Sequence, residues 1–268
     1  MTRSEQLRFL NSILLEELPE YRAQARAFPR NDAAQRRLLR SLMNVRPPKP
    51  LRQDFLRVQD DLLSAEREEK GVVDAVALPV TAAHPQIALW QGDITRLAAD
   101  AIVDADNSGL LGCFIPCHGC IDNAIHSAAG LQLREECHRV MQAQGHPEPT
   151  GRARLTGGYN LPARYVLHTV GPIVQGALTD RHRRELADCY RACLSLAAER
   201  GLQTVAFCCI STGEFRFPNR EAAEIAVNAV TDFLQAETSI QRVIFNVFKD
   251  IDAAIYRQLL GPDRPSAG

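Results

Sequence analysis

Short apolar runs that alternate with longer amphipathic segments from about residue 72 onward predict an α/β fold. Several of these runs are apolar on both faces, the pattern of strands in the middle of a sheet. Residues 1–72, in contrast, hold no strand-like run and place apolar side chains at helical spacing. The expected organisation is a helical N-terminal extension over 1–72 followed by an α/β domain over 73–268.

Within the extension, Leu7, Leu10, Ile13, Leu14 and Leu18 recur at helix spacing, as do Leu38, Leu39 and Leu42. The stretch Asn44-Val45-Arg46-Pro47-Pro48-Lys49-Pro50 must run extended, because each proline lacks an amide donor and restricts the residue before it. Helix resumes over 54–69. Strands are expected over 87–91, 101–103, 153–159, 165–170, 205–210 and 243–248. Helices are expected over 122–129, 131–144, 181–200, 219–235 and 251–260.

Hydrophobic residues make up 46% of the 268 positions, ample for a core that needs no covalent staple. The eight cysteines are placed as reduced thiols are: Cys208-Cys209 lie in an apolar run, and Cys189 and Cys193 are a helical turn apart. Arg3, Glu5, Arg8, Glu16 and Glu17 interrupt any apolar N-terminal stretch, so neither a signal peptide nor a membrane span is expected, and the protein should be a cytoplasmic monomer. A net charge of −1 excludes the basic face of a general nucleic-acid binder. Any phosphate ligand must then be held by backbone amides.

Chemistry concentrates in Cys113-Phe114-Ile115-Pro116-Cys117-His118-Gly119-Cys120. A structural zinc draws its four ligands from two separated pairs, and no second pair follows here. So short a run, stiffened by Pro116, offers three ligands more easily than four, and three plus an open position is the layout of a catalytic zinc. Cys113, His118 and Cys120 are the expected ligands, with Cys117 able to replace Cys113. A Cys-x-x-Cys redox pair, or buried thiols with His118 capping a helix, would use the same residue types. One zinc per chain is expected, since no other ligand set is visible. His126 and His168, in apolar patterns, read as satisfied core histidines.

Four strand ends carry polar chemistry. Gly92-Asp93-Ile94-Thr95 offers a carboxylate for an exocyclic amine, or merely a capped turn. Asp104-Ala105-Asp106-Asn107-Ser108-Gly109 places small polar residues at a strand's carboxyl end, where open α/β sheets bind ligands. Ser211-Thr212-Gly213-Glu214-Phe215 leads into a helix and suits a diphosphate, as an anion cradle of successive amides. Phe248, after the last strand, either stacks on a base or ribose or belongs to the core. Asp122 either caps the next helix or, beside a zinc-bound water, orients or deprotonates it.

In this order these stretches resemble the macrodomain family, ADP-ribose-binding modules with a three-layer α/β/α fold. The carriers include Gly92-Asp93-Ile94-Thr95, Asp100-Ala101-Ile102-Val103 with Asn107-Ser108, Tyr165-Val166-Leu167-His168-Thr169-Val170-Gly171-Pro172 and Ile210-Ser211-Thr212-Gly213. The cysteine loop, and Leu42-Met43-Asn44-Val45-Arg46-Pro47-Pro48 in the extension, are similar to the zinc-containing branch. The resemblance implies that Asp93 contacts the adenine amine, that Ile94 adds a backbone contact, and that the loop from Ser211 to Phe215 holds the diphosphate. It further implies Asn107 near the distal ribose, Asp122 in the catalytic loop, and zinc on Cys113, His118 and Cys120. The implied activity is removal of mono-ADP-ribose from modified protein side chains.

One departure stands out. Where the family usually reads Val-Asn-Ala-Ala-Asn-Ser, this chain reads Val103-Asp104-Ala105-Asp106-Asn107-Ser108. Carboxylates accept hydrogen bonds but cannot donate as an amide does, and their repulsion raises neighbouring pKa values. If Asp104 and Asp106 border the ribose, a non-catalytic ADP-ribose reader becomes an alternative, as does a deacylase of free O-acyl-ADP-ribose.

Overall fold

The computed structural model describes residues 1–264. The extension holds α1 (Arg3–Glu17), α2 (Arg22–Ala25), α3 (Asp32–Val45) and α4 (Gln53–Lys70). A capping box between Thr2 and Glu5 opens α1, and Asn31 caps α3. Leu7 and Leu10, Leu39 and Leu42, and Phe55 and Leu62 close into a separate core, which Leu131 of the next domain joins. Arg46 holds the proline connector extended: its buried guanidinium bonds Glu17 at 2.6 Å and the carbonyls of Lys49 and Pro50.

Among the described residues eight strands follow: β1 (Val73–Asp74), β2 (Ile87–Gln91), β3 (Leu97–Ala98), β4 (Ala101–Ala105), β5 (Ala153–Gly157), β6 (Tyr165–Thr169), β7 (Thr204–Phe207) and β8 (Arg242–Val247). The main sheet has the order β2-β8-β7-β4-β6-β5, all parallel except the edge strand β5, while β1 and β3 pair separately. Helices α5 (Ile121–Ala129), α6 (Leu131–Gln144), α7 (Asp180–Glu199), α8 (Asn219–Phe233) and α9 (Asp250–Leu260) flank the sheet in the α/β/α arrangement, α7 to α9 packing in a row and α5 against α6. Two-residue strands show no periodicity, so β1 and β3 were not expected. Strand β7 stops at Phe207, short of 210, as Cys208-Cys209-Ile210 leave the ladder toward Ser211, whose φ is 65°.

Because β2, β4, β7 and β8 run parallel, their carboxyl ends meet at one edge of the sheet. The neighbours β4 and β7 send out the loops 106–120 and 208–218 there. No helix among the described residues is long and apolar enough to cross a membrane.

Candidate active site

Loop 106–120 gathers Cys113, His118 and Cys120, each offering a ligand atom within 4.8 Å of the others. His118 Nδ1 is buried without a partner, and its Nε2 stands 3.6 Å from Glu214 Oε1, so an outer carboxylate faces the nitrogen that a metal would leave free. Cys120 caps α5, its Sγ accepting from the Asn123 amide at 3.4 Å. Burial, helped by neighbouring Asp122 and Cys113, pushes its thiol up to about 12. Such a thiol keeps its proton until a cation replaces it. Two sulfurs and an imidazole nitrogen fit zinc. Cys117 points elsewhere: its φ is 52°, its Sγ lies 3.3 Å from Ser41 Oγ, and its amide bonds Asn44 Oδ1 at 2.9 Å.

The loop has no regular structure, and side chains from three helices hold it. Arg40 of α3 bonds Asn123 Oδ1 at 2.7 Å and the His118 carbonyl at 3.3 Å. Asn123 Nδ2 in turn donates to the Ile115 carbonyl at 3.0 Å. Arg134 of α6 donates to Leu111, just ahead of the loop's ligands, and to three carbonyls at the end of α3. Nothing in the local sequence pattern marks Arg40 or Arg134, because their partners are remote in the chain.

Asp122 lies in the first turn of α5 and is not its cap; that place belongs to Cys120. Its Oδ2 is 3.5 Å from Asn107 Nδ2, which joins the two residues expected to meet the reacting ribose. Burial and neighbouring Asp106 push the Asp122 carboxyl well above its ordinary range, against the pull of Arg134.

Asp104 and Asp106 are 0% and 1% exposed, turned inward toward His126 and His168. Asp106 also lies close enough to Asp122 to raise its carboxyl, so the exchange of a methyl for a carboxylate reaches the residue expected in the catalytic loop. His126 is not a satisfied core histidine, since both ring nitrogens are buried with no hydrogen-bond partner. Burial pushes Asp104 well up, with Asp122 and Asp106 adding repulsion, and pushes Asp106 up to about 7. The same burial draws His126 well down and His168 down to about 4.

At the other strand ends, Asp93 takes the capping role: its Oδ1 accepts from the Thr95 amide at 3.0 Å and the Thr95 hydroxyl at 2.7 Å. It also lines a cavity of about 130 Å³ shared with Arg36, Arg40 and Arg67 of the extension. The Ile94 side chain is buried. Phe248 is 76% exposed and not part of the core. In the loop after β7, the amides of Gly213, Glu214 and Phe215 have no acceptor among the described residues. A Cβ on Gly213 would meet nothing within 4 Å, so this cradle is open. Thr212 is tied back by its hydroxyl to the Cys209 carbonyl at 3.0 Å, and Ser211 is buried with an unpartnered Oγ. Glu214 also borders a groove of about 640 Å³ with Ile173, Gly176 and Arg216.

The Macro domain family matches residues 103–226. A protein-ADP-ribose hydrolase of Treponema medium is 50% identical over 262 residues, which cover 97% of this chain and 100% of the relative. The chain belongs to the macrodomain family. This macrodomain is also 47% identical to a protein-ADP-ribose hydrolase of Staphylococcus aureus strain Mu50, over 84% of this chain and 85% of the relative. Among solved structures, the Trypanosoma brucei macrodomain in complex with ADP-ribose is similar at a TM-score of 0.60 and 34% identity, covering 83% of this chain and 95% of that one. The Oceanobacillus iheyensis macrodomain with ADP gives 0.59 and 35%, over 66% of this chain and 90% of that one.

Proposed function

We propose that this macrodomain hydrolyses mono-ADP-ribose from modified protein side chains with zinc as cofactor, as a monomer in a reducing cytoplasm. One observation carries the reading: Cys113, His118, Cys120, Asn107 and Asp122 follow β4, the open amides of 213–215 follow the adjacent β7, and His118 meets Glu214 between them at 3.6 Å. Relatives named protein-ADP-ribose hydrolases, and macrodomains solved with ADP and ADP-ribose, support it.

Asp93 accepts from the adenine amine, the Ile94 backbone adds a contact, and exposed Phe248 stacks on the base or ribose. The amides of Gly213, Glu214 and Phe215, in the loop that Ser211 and Thr212 begin, hold the diphosphate, and the N-terminal dipole of α8 favours its charge. Asn107 donates to a distal-ribose hydroxyl. A zinc held by Cys113, His118 and Cys120 supplies Lewis-acid stabilisation of charge at that ribose. Asp122 takes the proton of the attacking nucleophile.

Turnover of a mono-ADP-ribosylated protein tests this. Cys120→Ala should cut it by orders of magnitude while free ADP-ribose still binds. Asp122→Ala should keep the metal and lose about 10²–10⁴-fold in rate. A wild-type protein that binds ADP-ribose yet leaves the substrate modified is a reader, and normal turnover by Cys120→Ala that has lost metal from the cysteine loop removes that metal from the mechanism.

A further inference from the structure

Behind the ribose loop, β4, β6 and α5 enclose a cluster that the proposed reaction does not use. Strand register sets Asp104 of β4 opposite His168 of β6, and Asp106 follows just past the strand end. His126 reaches the same point from α5. One ligand atom from each of Asp104, Asp106, His126 and His168 lies within 4.8 Å of the others, and all four residues are buried. Both oxygens of Asp104 and both nitrogens of His126 lack a hydrogen-bond partner. Leaving so many polar atoms unpaired in an interior costs several kcal/mol, and they are normally satisfied.

The distances distinguish two ways of satisfying them. A direct charge-assisted pair closes to about 2.7–2.9 Å. Here His126 Nε2 stands 3.8 Å from Asp104 Oδ2 and 4.0 Å from Asp106 Oδ2, while His168 Nδ1 stands 3.8 Å and 3.3 Å from the same oxygens. Ligand atoms held about 2.1 Å from one tetrahedral ion are separated by roughly 3.4 Å, close to this spacing. The outer contacts fit as well. His168 Nε2 is 2.9 Å from Thr156 Oγ1, which leaves Nδ1 to face inward, and Asp106 Oδ1 accepts from the Asn107 amide at 2.7 Å. Two carboxylates and two neutral imidazoles around a dication carry no net charge, which suits a buried position.

We propose that Asp104, Asp106, His126 and His168 form a buried site for a divalent first-row ion such as zinc, separate from the cysteine loop. The nitrogen and oxygen donors suit zinc and its neighbours better than magnesium or calcium, which take oxygen ligands. The ion fixes the base of the loop that presents Asn107, and Asp122 Oδ1 lies beside it, 3.6 Å from His126 Nε2. On this proposal the chain holds a second ion beside the one expected at the cysteine loop.

Cobalt is the probe. The full chain, unfolded with chelator under reducing conditions, is refolded with Co²⁺, desalted and assayed for bound metal. Cys113→Ala/Cys120→Ala isolates the buried site and should retain about one cobalt per chain, with visible ligand-field bands and no thiolate charge transfer. Adding Asp104→Asn/Asp106→Ala should abolish that binding. A folded cysteine variant without cobalt overturns the proposal and leaves shared protons to neutralise the cluster. If the cysteine variant does not refold, wild type is compared with Asp104→Asn/Asp106→Ala: a loss of one equivalent supports the site, and equal metal content overturns it. Failure of zinc at the cysteine loop would instead appear as wild-type protein with no thiolate bands, whatever the aspartates hold.

Discussion

Replacing Arg134 by methionine keeps much of the side chain's bulk and removes its donors. Nε bonds the Leu111 carbonyl at 2.6 Å, and Nη1 reaches the carbonyls of Met43, Asn44 and Arg46 at 2.8, 2.9 and 2.7 Å. Met43 and Asn44 are in the last turn of α3, where carbonyls have no partner within the helix. Hydrogen bonds to a charged group contribute about 1.5–3 kcal/mol each, so four set a ceiling of roughly 6–12 kcal/mol. The ceiling is not reached. One amino group cannot fully satisfy three acceptors, and burial already opposes the charge, lowering the guanidinium pKa to about 10. A net loss of about 3–5 kcal/mol remains, in the range found when a buried charged network is broken. That corresponds to a Tm lower by roughly 6–15 °C for a chain of this size. Amides at the end of α3 and in loop 111–120 should exchange faster in hydrogen–deuterium measurements. A Tm change under about 2 °C, on the same scale, would refute the reasoning.

Asp93→Ala should weaken ADP-ribose binding by about 1.5–3 kcal/mol in calorimetry and leave metal content unchanged; equal affinity would reduce Asp93 to the cap it makes with Thr95. Phe248→Ala, at a 76% exposed position, should change stability by less than about 0.5 kcal/mol yet cost about 1–3 kcal/mol of ADP-ribose affinity through lost stacking. The reverse pattern would make it a packing residue. Burial raises the Asp100 carboxyl, but amides of Gln203 and Thr204 and the Arg164 guanidinium outweigh it and hold the pKa below the ordinary value. The stability this contributes is present above the unfolded pKa near ~3.9 and is lost as pH falls through the lower folded value. Acid titration of Tm should therefore bring wild type and Asp100→Asn together below that window, and a constant gap across it would exclude the linkage.

The sheet was legible because several of its strands are apolar on both faces and separated by helix-length segments, and the strand ends named from sequence do meet at one edge. Orientation was less legible. Phe248 could be core or ligand-facing, and the choice depends on β8 ending one residue earlier, at Val247. Apolar neighbours correctly marked His126 and His168 as buried, and His168 as satisfied through Thr156 and Asp106, but not His126 as unsatisfied. That needed the pairing of Asp104 with His168, a register between strands whose order no local pattern specifies. Asp104 and Asp106 were hard to place for the same reason: they lie next to Asn107 in sequence, but their carboxylates are buried toward His126 and His168.

The helical extension is more than an appendage, because the reaction loop cannot hold its own shape. From Asp106 to Cys120 the chain has no helix or strand, and its backbone amides and carbonyls need partners from elsewhere. Arg40 and Asn44 of α3 supply some, directly at His118 and Cys117. Asn123 of α5 passes the grip of Arg40 on to Ile115. The ligand-bearing residues are thus clamped between the extension and the first helix of the α/β domain. Their geometry depends on the interface between the two parts, and not on the loop sequence alone. The same interface lines the cavity at Asp93 with Arg36, Arg40 and Arg67. Arg36 is neutralised by a paired contact with Glu66, and Arg40 is committed to Asn123 and His118. Arg40 and Arg67, which donates to the Asn160 carbonyl at 3.2 Å, thus fasten the extension to the α/β domain, while Arg36 braces α3 against α4, so all three are engaged apart from the diphosphate site proposed at the amides of 213–215.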